Sequence, residues 1–349
     1  MRAEPSNVAS VQPPPNDLQS LKDLGLDEML SWLHISASNP LKVLVPNKSQ
    51  RIRLATTQCS ILSTTTPPGS FLELQPGEDE SNRILLPTNV RVLVDAPPLA
   101  FIRMTHALAN RLASSNTCLA TKLRLIEFAC ECCGSYVRDP FQPRSKILHY
   151  DKPDEDSRFC TLDDMKAYVH EARGQFGRNR AASLLSHAID GSGSGMESYL
   201  DLALTSVPKL GGLSMGEPLV NQPLVVSEDT QALLRHGTIR PDLQWPEFRT
   251  LVEYLGDEEH ASKQARVEDK NRVQDYTTAG YAQFTLMFDD VRTATALNRT
   301  ALMIARALMN NGKQNELYRI RHLIQDEKFL ARQSQLISTL LPPVTRFES

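Results

Sequence analysis

The sequence predicts an α+β protein in which a small β-then-helical domain precedes a mixed α/β sheet flanked by helices. Short apolar runs separated by Pro, Gly, Asn and Asp fill residues 41–94, a pattern that is typical of strands. From Pro97 onward, apolar residues recur at the spacing of amphipathic helices. After residue 195, strand-length apolar runs are joined through helical segments, and this order favours a mixed or parallel sheet with helices on both faces.

The composition is that of a globular protein with room for two ordinary domains, since 349 residues are 41% hydrophobic and 23% charged. The formal net charge of −3 gives no overall basic field that would indicate nucleic-acid binding. No apolar run approaches the roughly 20 residues that cross a bilayer, and the first residues lack the apolar core of a signal peptide. We therefore expect a cytoplasmic protein with reduced cysteines and no membrane partner.

Changes in composition divide the chain into five segments. Pro-rich polar sequence predicts disorder at the N-terminus, and a run of Gly and Ser without apolar side chains predicts a flexible linker. The predicted segments are a disordered N-terminus at 1–16, a β-plus-helical domain at 17–190, the linker at 191–195, a second α/β domain at 196–312, and a C-terminal helix with its tail at 313–349.

In the β-plus-helical domain, the apolar spacing predicts one helix, four strands and then four helices, with a loop between the second and third of those four. The first predicted helix covers 18–33, the strands cover 41–45, 52–57, 70–74 and 90–94, the later helices cover 99–113, 118–130, 162–172 and 179–189, and the loop covers 134–159.

The second domain is predicted to have the order α-β-β-β-α-β-α, ended by a Gly-containing helix cap at 310–312. Its first helix has Glu197 in the first turn, where an acidic residue is favourable. The predicted elements are a helix at 196–204, strands at 219–226, 237–244 and 249–255, a helix at 260–276, a strand at 281–287, a helix at 291–309 and a further helix at 316–341.

Two acidic residues fall on neighbouring predicted strands. Asp242 follows Pro241 at a strand end, and Glu253 lies inside an apolar strand, where burying a carboxylate is costly unless something pairs with it. Together with Glu197 from the preceding helix, they could bind a divalent cation such as Mg²⁺ or Mn²⁺, which prefers carboxylate oxygens. Alternatively, Asp242 closes a turn, and Glu253 pairs with an arginine, either Arg266 or Arg272.

The cysteines offer a second candidate metal site. Cys130, Cys132 and Cys133 are close in sequence, and Cys160 with His149 or His170 could complete a ligand set. Nothing in the spacing fixes such a set. Because the three cysteines follow an apolar helical stretch, we interpret them as small buried apolar residues instead.

The segment Pro241-Asp242, followed after ten residues by Glu253, resembles the core of PD-(D/E)XK nucleases. The wider string resembles the very-short-patch-repair-like endonuclease branch of that family. Its matching parts are Ser194-Gly195-Met196-Glu197, Glu253-Tyr254-Leu255-Gly256, His260, Asp269 with Arg272, and Gly280-Tyr281. The resemblance implies a restriction-endonuclease-like fold at 196–312 and Mg²⁺- or Mn²⁺-dependent hydrolysis of DNA, with Asp242, Glu253 and Glu197 holding the ion.

The preceding region, at 33–189, is similar to a domain of actinobacterial proteins related to type IV abortive-infection antitoxins. That resemblance implies a role in defence or toxin–antitoxin biology. In those proteins a winged helix usually comes first, and residues 1–30 are too few to form one.

One expected catalytic position departs from the family pattern. Two residues after Glu253 the family has a polar residue that helps to activate water, whereas this chain has Leu255, which can neither ligate nor exchange a proton. His260 is the candidate substitute base, or else a helix-capping or solvated histidine. Lys263 is interpreted as a solvated surface residue.

Residues 192–312 contain 11 basic and 16 acidic residues, which does not favour unassisted DNA binding. Arg266, Lys270 and Arg272 on one predicted helix form a modest basic patch for a nucleic acid. Three hypotheses therefore remain: a metal-dependent DNA endonuclease or degenerate nuclease-fold protein, a non-catalytic DNA- or protein-binding regulator, and a structural partner within a larger complex. Partners under these hypotheses are DNA, another protein or a second copy of the chain.

Overall fold

The structure is a computed structural model, and the chain is a mixed α+β protein, as predicted. Within the described residues, no helix combines the length and the apolar character required to cross a membrane. The residues that the structure describes are 2–5, 31, 35–38, 40–45, 48, 51–61, 66–75, 92–115, 117–138, 147–149, 158–235, 238–256 and 263–341. Predicted features outside these ranges, including the helix at 18–33 and His260, stay predictions.

The chain forms two compact units. The first contains Met1–His106 and Lys166–Ala181, and the second contains Ala107–Met165 and Ala182–Ser349. The Gly/Ser run at 191–195 lies within the second unit, so the units are divided differently from the segments proposed from composition.

The first unit contains two small sheets. Strands β1, β4 and β5 pair antiparallel in the order β1-β4-β5, and strands β2 and β3 pair in parallel. Their bounds are Arg2–Pro5 for β1, Leu41–Val45 for β2, Thr57–Ile61 for β3, Phe71–Gln75 for β4 and Leu93–Asp95 for β5. Strand β1 thus lies inside the segment predicted to be disordered.

The strand predicted at 52–57 is wrong, because the strand begins at Thr57. The Thr57 hydroxyl donates to the carbonyl of Ile52 at 3.2 Å, and the Thr57 amide donates to the carbonyl of Leu54 at 3.1 Å. These bonds close a turn over the predicted strand, so its polar backbone groups are satisfied locally rather than by a neighbouring strand.

Helix α1, Pro97–Ala107, ends the first continuous part of the first unit. The helix predicted at 99–113 is interrupted at Leu108 and continues as α2, Ala109–Ala113. Gly and Pro are absent at this break, and we have no physical account of it. Helix α3, Cys118–Cys133, follows in the second unit and contributes the buried residues Leu123, Ile126 and Ala129 to its core.

The loop predicted at 134–159 contains a short antiparallel pair that the sequence did not indicate. Strand β6, Tyr136–Arg138, pairs with strand β7, Ile147–His149. Two helices follow, α4 at Leu162–Glu171 and α5 at Arg178–Leu185, and each has residues in both compact units.

The second unit is built around a four-stranded mixed sheet in the order β11-β10-β9-β8. Strands β8, β9 and β10 pair antiparallel, whereas β10 and β11 are parallel. The elements are α6 at Gly195–Thr205, β8 at Leu219–Val220, α7 at Glu228–Gln231, β9 at Leu243–Trp245, β10 at Thr250–Tyr254, α8 at Lys263–Thr278, β11 at Ala282–Leu286, α9 at Phe288–Val291 and α10 at Ala294–Asn310, with short 3-10 turns at Pro208–Leu210 and Pro246–Phe248.

The first two predicted strands of this sheet are shorter than expected. Asn221, directly after β8, has a φ of 50°, and this left-handed conformation ends the regular strand. Beyond it, the amide of Leu224 still donates to the carbonyl of Ile239 at 2.8 Å, so the two segments stay adjacent without a continuous ladder.

Helices cover the sheet and complete the core. Strand β10 is buried on both faces, with α8 in contact with β11 and α10 in contact with β10. The single helix predicted at 316–341 is two helices, α11 at Glu316–Leu323 and α12 at Glu327–Leu340, because Asp326 caps a new helix by accepting from the amides of Lys328 and Phe329. Phe329 and Leu336 are buried, so this C-terminal part belongs to the core of the unit.

Candidate functional site

Glu197 is positioned by the start of helix α6. The Ser194 hydroxyl accepts a hydrogen bond from the amide of Glu197 at 3.2 Å, and the Glu197 carboxylate accepts from the amide of Gly193 at 2.7 Å. The arrangement resembles a capping box, but the acidic side chain folds back onto the amide of Gly193, one residue before the N-cap Ser194. The side chain of Asn221 also donates to the Glu197 carboxylate, at 2.5 Å, and thereby ties this helix start to the end of β8.

Asp242 directly precedes β9 and lies beside Glu253. Val252 of β10 is paired with Leu243 of β9, and continuing this antiparallel register by one residue places Glu253 opposite Asp242. The Asp242 carboxylate accepts from the amide of Tyr254 at 2.6 Å. Cross-strand neighbours project to the same face of a sheet, so the two carboxylates share one face.

Glu253 is the most buried of the three acids, with 3% of its surface exposed. The hydroxyl of Tyr276, from α8, donates to one carboxylate oxygen. The guanidinium of Arg272 lies 3.7 Å from the other oxygen. Because Tyr276 and Arg272 are one helical turn apart, both reach the same strand residue.

The three carboxylates influence one another electrostatically. Burial raises the pKa of Asp242 well above its ordinary value, and the nearby Glu197 and Glu253 carboxylates raise it further. The Tyr254 amide and Arg272 act in the opposite direction, but they do not offset the increase. Asp242 is therefore easier to protonate here than a free aspartate, and a cation in the cluster would oppose that shift.

The donor chemistry fits a hard divalent ion, because all three side chains offer carboxylate oxygens. Their arrangement does not: among the described residues, no three His, Cys, Asp or Glu side chains are grouped as a metal site would require. The hydrogen bonds from Asn221, Tyr254 and Tyr276 hold the carboxylates individually. An ion would have to displace or share these contacts.

The remaining predicted residues are placed only in part. Leu255 continues the β10 edge, where its amide donates to the carbonyl of Leu286 at 2.8 Å, and its half-buried side chain has no polar atom. His260 lies outside the described residues. Arg266 and Lys270 lie on α8, of which only the backbone is described at those positions. Of the two arginines predicted as alternative partners of Glu253, the structure shows Arg272 in this role.

Two residues of the site were not anticipated. Asn221 was passed over as a strand residue, although Asn tolerates the left-handed conformation that it adopts and could have indicated a strand end. Tyr276 ends the helix predicted at 260–276, and the sequence does not single it out as a site residue. It is fully buried, and burial together with the Glu253 carboxylate raises its pKa above the ordinary value.

The cysteine cluster fits the apolar interpretation. Cys130, Cys132 and Cys133 are buried free thiols. Burial raises the pKa of Cys130 to about 12, and it also raises the pKa of Cys132. The pKa of Cys133 is raised by a hydrogen bond with Cys160 and by burial. In the absence of a metal ion, burial thus favours the neutral thiol form of these cysteines, as expected for small buried apolar residues.

A comparison of the chain with models of protein families, with curated proteins and with solved structures found no match.

Proposed function

We propose that residues 196–312 form a degenerate domain of the PD-(D/E)XK nuclease-like fold, which keeps the acidic cluster but has weak phosphodiester cleavage or none. The four-stranded mixed sheet, with α8 and α10 against it, supports this fold assignment. The placement of Asp242, directly before β9, beside Glu253 of β10 also supports it, with Glu197 at a helix start nearby.

The observation that carries the proposal is the hydrogen bond from Tyr276 to Glu253, with Arg272 beside it. A hydroxyl donor and a guanidinium stabilise this buried carboxylate from within the protein. Mg²⁺ or Mn²⁺, the ions that the resemblance implies, would supply charge stabilisation and a bound water of lowered pKa if they bound to the cluster. In this site the protein's own groups already offset part of the charge that an ion would neutralise.

The apolar side chain of Leu255 is a second observation that supports the loss of catalysis, and it does not depend on the bond between Tyr276 and Glu253. Leu255 directly follows β10, two residues after Glu253, and its amide continues the pairing with β11 by donating to Leu286. The two-residue spacing along an extended backbone places its side chain on the same side as Glu253. A general base must reach the proton that it removes, and an isobutyl group offers no lone pair. The role of the base therefore falls to His260, the substitute that the sequence predicts.

A plasmid-nicking assay with Mg²⁺ or Mn²⁺ tests the proposal. The native chain is expected to show weak nicking that favours Mn²⁺, or none. Leu255→Asp should raise metal-dependent cleavage, and His260→Ala should lower any residual activity. Leu219→Asp is the matched control, because it makes the same change at a half-exposed residue of the same sheet. Efficient Mg²⁺-dependent cleavage by the native chain that is insensitive to His260→Ala would overturn the proposal.

A second candidate is a non-catalytic DNA- or protein-binding regulator of the antitoxin-related kind. The excess of acidic residues within 192–312 favours the protein-binding form of this regulator, because a net negative charge repels the phosphates of DNA. Inertness of native and Leu255→Asp proteins alike, with no Mn²⁺ bound, would support this regulator over a damaged nuclease.

A further inference from the structure

The loop at residues 174–180, in the first unit, forms an open cavity of about 590 Å³. We call it the Phe176 loop, with the sequence Gly-Gln-Phe-Gly-Arg-Asn-Arg. It joins α4 to α5, and it contains none of the residues of the acidic cluster.

Two glycines hold this loop in a fixed shape. Gly174 and Gly177 have φ angles of 84° and 93°, which residues with a side chain rarely adopt. A Cβ atom at Gly177 would lie 2.7 Å from the carbonyl oxygen of Ile102 and 3.0 Å from the amide nitrogen of His106. The loop is therefore seated directly on the last turn of α1.

Arg178 attaches the loop to helix α4 through hydrogen bonds. Its guanidinium donates to the carbonyls of Val169 and His170, each at 2.7 Å, and to the side chain of Asn179 at 3.3 Å. These bonds join the loop to the end of α4. The side chains that the loop presents outward are thus carried on a pre-formed frame, which lowers the entropy cost of binding a ligand.

The frame presents an aromatic ring to solvent. Phe176 is 68% exposed and stacks on the imidazole of His106, with ring centroids 5.4 Å apart and an angle of 29° between the planes. A phenylalanine held in place and left in water is not explained by packing, since burial of such a ring would be favourable. An exposed aromatic of this kind is suited to stacking on a planar ligand.

The surroundings of the ring are basic. Arg173, directly before the loop, and Arg180, its last residue, are exposed. Residues 166–181 contain four Lys and Arg and one Glu, in a chain whose formal net charge is −3. An exposed aromatic ring with exposed arginines three residues before it and four after it is complementary to bases that are joined by phosphates.

We propose that the Phe176 loop is a binding site for single-stranded nucleic acid, in which a base stacks on Phe176 while Arg173 and Arg180 contact neighbouring phosphates. A duplex is a poorer ligand, because its base faces are already stacked within the helix. The site lies in the first unit and does not depend on the carboxylate cluster, so it holds whether or not the chain cleaves phosphodiesters.

Binding of a fluorescent single-stranded DNA of about 16 nucleotides, a length within the known site sizes of single-strand binders, tests the site. The full chain is used, with a chelator present so that cleavage cannot interfere. Phe176→Ala should weaken binding about tenfold, since base stacking on an aromatic ring is worth that much or more. Phe159→Ala removes another exposed ring, one with 54% exposure outside the loop, and should leave binding unchanged.

The salt dependence tests the arginines. Arg173→Ala and Arg180→Ala should each reduce the slope of log affinity against log salt by about 0.7, the value for one phosphate contact on a single strand. Arg321→Ala, an exposed arginine on α11, is the control and should leave the slope unchanged. Asp242→Asn should also bind as the native chain does, which separates this site from the proposed nuclease site.

Several results would overturn the proposal. These are no binding at low salt, equal binding by native and Phe176→Ala proteins, or tighter binding of a duplex of the same length. Capture of an acidic protein through Phe176, without any affinity for the oligonucleotide, would assign the loop to a protein partner instead. Circular dichroism of each variant checks that the helices on either side of the loop are intact.

Discussion

At the scale of single residues, Glu253 shows how a buried carboxylate is accommodated in an apolar strand. It receives the Tyr276 hydroxyl and lies beside the Arg272 guanidinium, so its charge is hydrogen-bonded and partly compensated. Removing a donor from a buried ion leaves that ion incompletely solvated, which costs more than the hydrogen bond itself contributes.

We expect Tyr276→Phe to lower the free energy of unfolding by about 1–3 kcal/mol at neutral pH, because Glu253 loses a donor. Urea denaturation measures the change, and Tyr318→Phe, at a tyrosine that is 62% exposed, serves as the control. In a Glu253→Gln background the effect of Tyr276→Phe should become smaller, because the charged acceptor is gone. An equal loss in both backgrounds would show that the ring packs but does not stabilise the carboxylate.

Asp201, on α6, is a buried acid that the proposed mechanism does not use. Burial raises its pKa to about 7 from an ordinary value of 3.8, although the Thr205 hydroxyl donates to it at 2.7 Å. The folded chain therefore holds a proton that the unfolded chain releases. Its favourable contribution is fully present below the unfolded value and is lost as the pH rises through about 7.

Asp201→Asn should consequently raise the free energy of unfolding at pH above 7 by about 1–3 kcal/mol, since each unit of pKa shift corresponds to about 1.4 kcal/mol before relaxation. Near pH 4 the two proteins should be about equally stable. Asp229→Asn makes the same change at an exposed residue and should have little effect at either pH. A stability difference that does not vary with pH would contradict the assigned titration.

At the scale of elements, the composition of the segment at 191–195 predicts a flexible linker, whereas the structure shows the segment hydrogen-bonded to its neighbours. The amide of Gly191 donates to the carbonyl of Cys133 at 3.1 Å, and the amide of Ser135 donates to the carbonyl of Ser192 at 2.9 Å. Asn221 donates to the Gly191 carbonyl as well, at 3.0 Å. The flexible linker predicted from Gly and Ser content is thus tied by hydrogen bonds to α3, to the start of β6 and to the end of β8.

Limited proteolysis tests whether residues 191–195 form a flexible linker or an anchored segment. The hydrogen bonds lead us to expect that residues 191–195 resist cleavage under conditions in which exposed termini are cut, with fragments identified by mass spectrometry. A cut within this segment that releases a folded piece starting near Met196 would support the boundary predicted from the sequence and contradict the expectation of a well-anchored segment.

Local patterns predicted the elements where one periodicity dominated. The sequence predicts strand β10 and helix α10 to within a few residues. The compact apolar run of β10 indicates a buried strand, and the regular apolar stripe of α10 indicates an amphipathic helix. The pairing of β6 with β7 was missed, since its short strands carry little apolar signal amid Pro and Asp. Strand β3 begins later than predicted, because the Thr57 side chain closes a turn that strand propensity does not indicate.

The same contrast holds for the candidate site. Asp242 and Glu253 could be placed together from sequence, because strand order and a short connection fix their proximity. The contributions of Tyr276 and Asn221 could not be predicted from the sequence, because each depends on a tertiary contact. Tyr276 bonds to Glu253, 23 residues away, and Asn221 bonds to Glu197, 24 residues away. Periodicity reports which face of an element is buried, but it does not identify the partner of a particular polar atom.

At the scale of the whole molecule, the chain combines two compact units with different candidate roles. The second unit carries a buried acidic cluster on a mixed sheet, and the first carries a basic loop with an exposed aromatic ring. Under the two proposals, contact with nucleic acid is provided mainly by the first unit, and the acidic cluster contributes little cleavage.

A crystal structure of the native chain soaked in Mn²⁺, with anomalous diffraction to locate the ion, tests the central claim most directly. The account predicts that Tyr276 and Arg272 remain on Glu253 and that Mn²⁺ is absent from the cluster or binds there only at low occupancy. Mn²⁺ bound at full occupancy by Asp242 and Glu253, with the Tyr276 hydroxyl displaced, would contradict it and would identify the cluster as an intact metal centre.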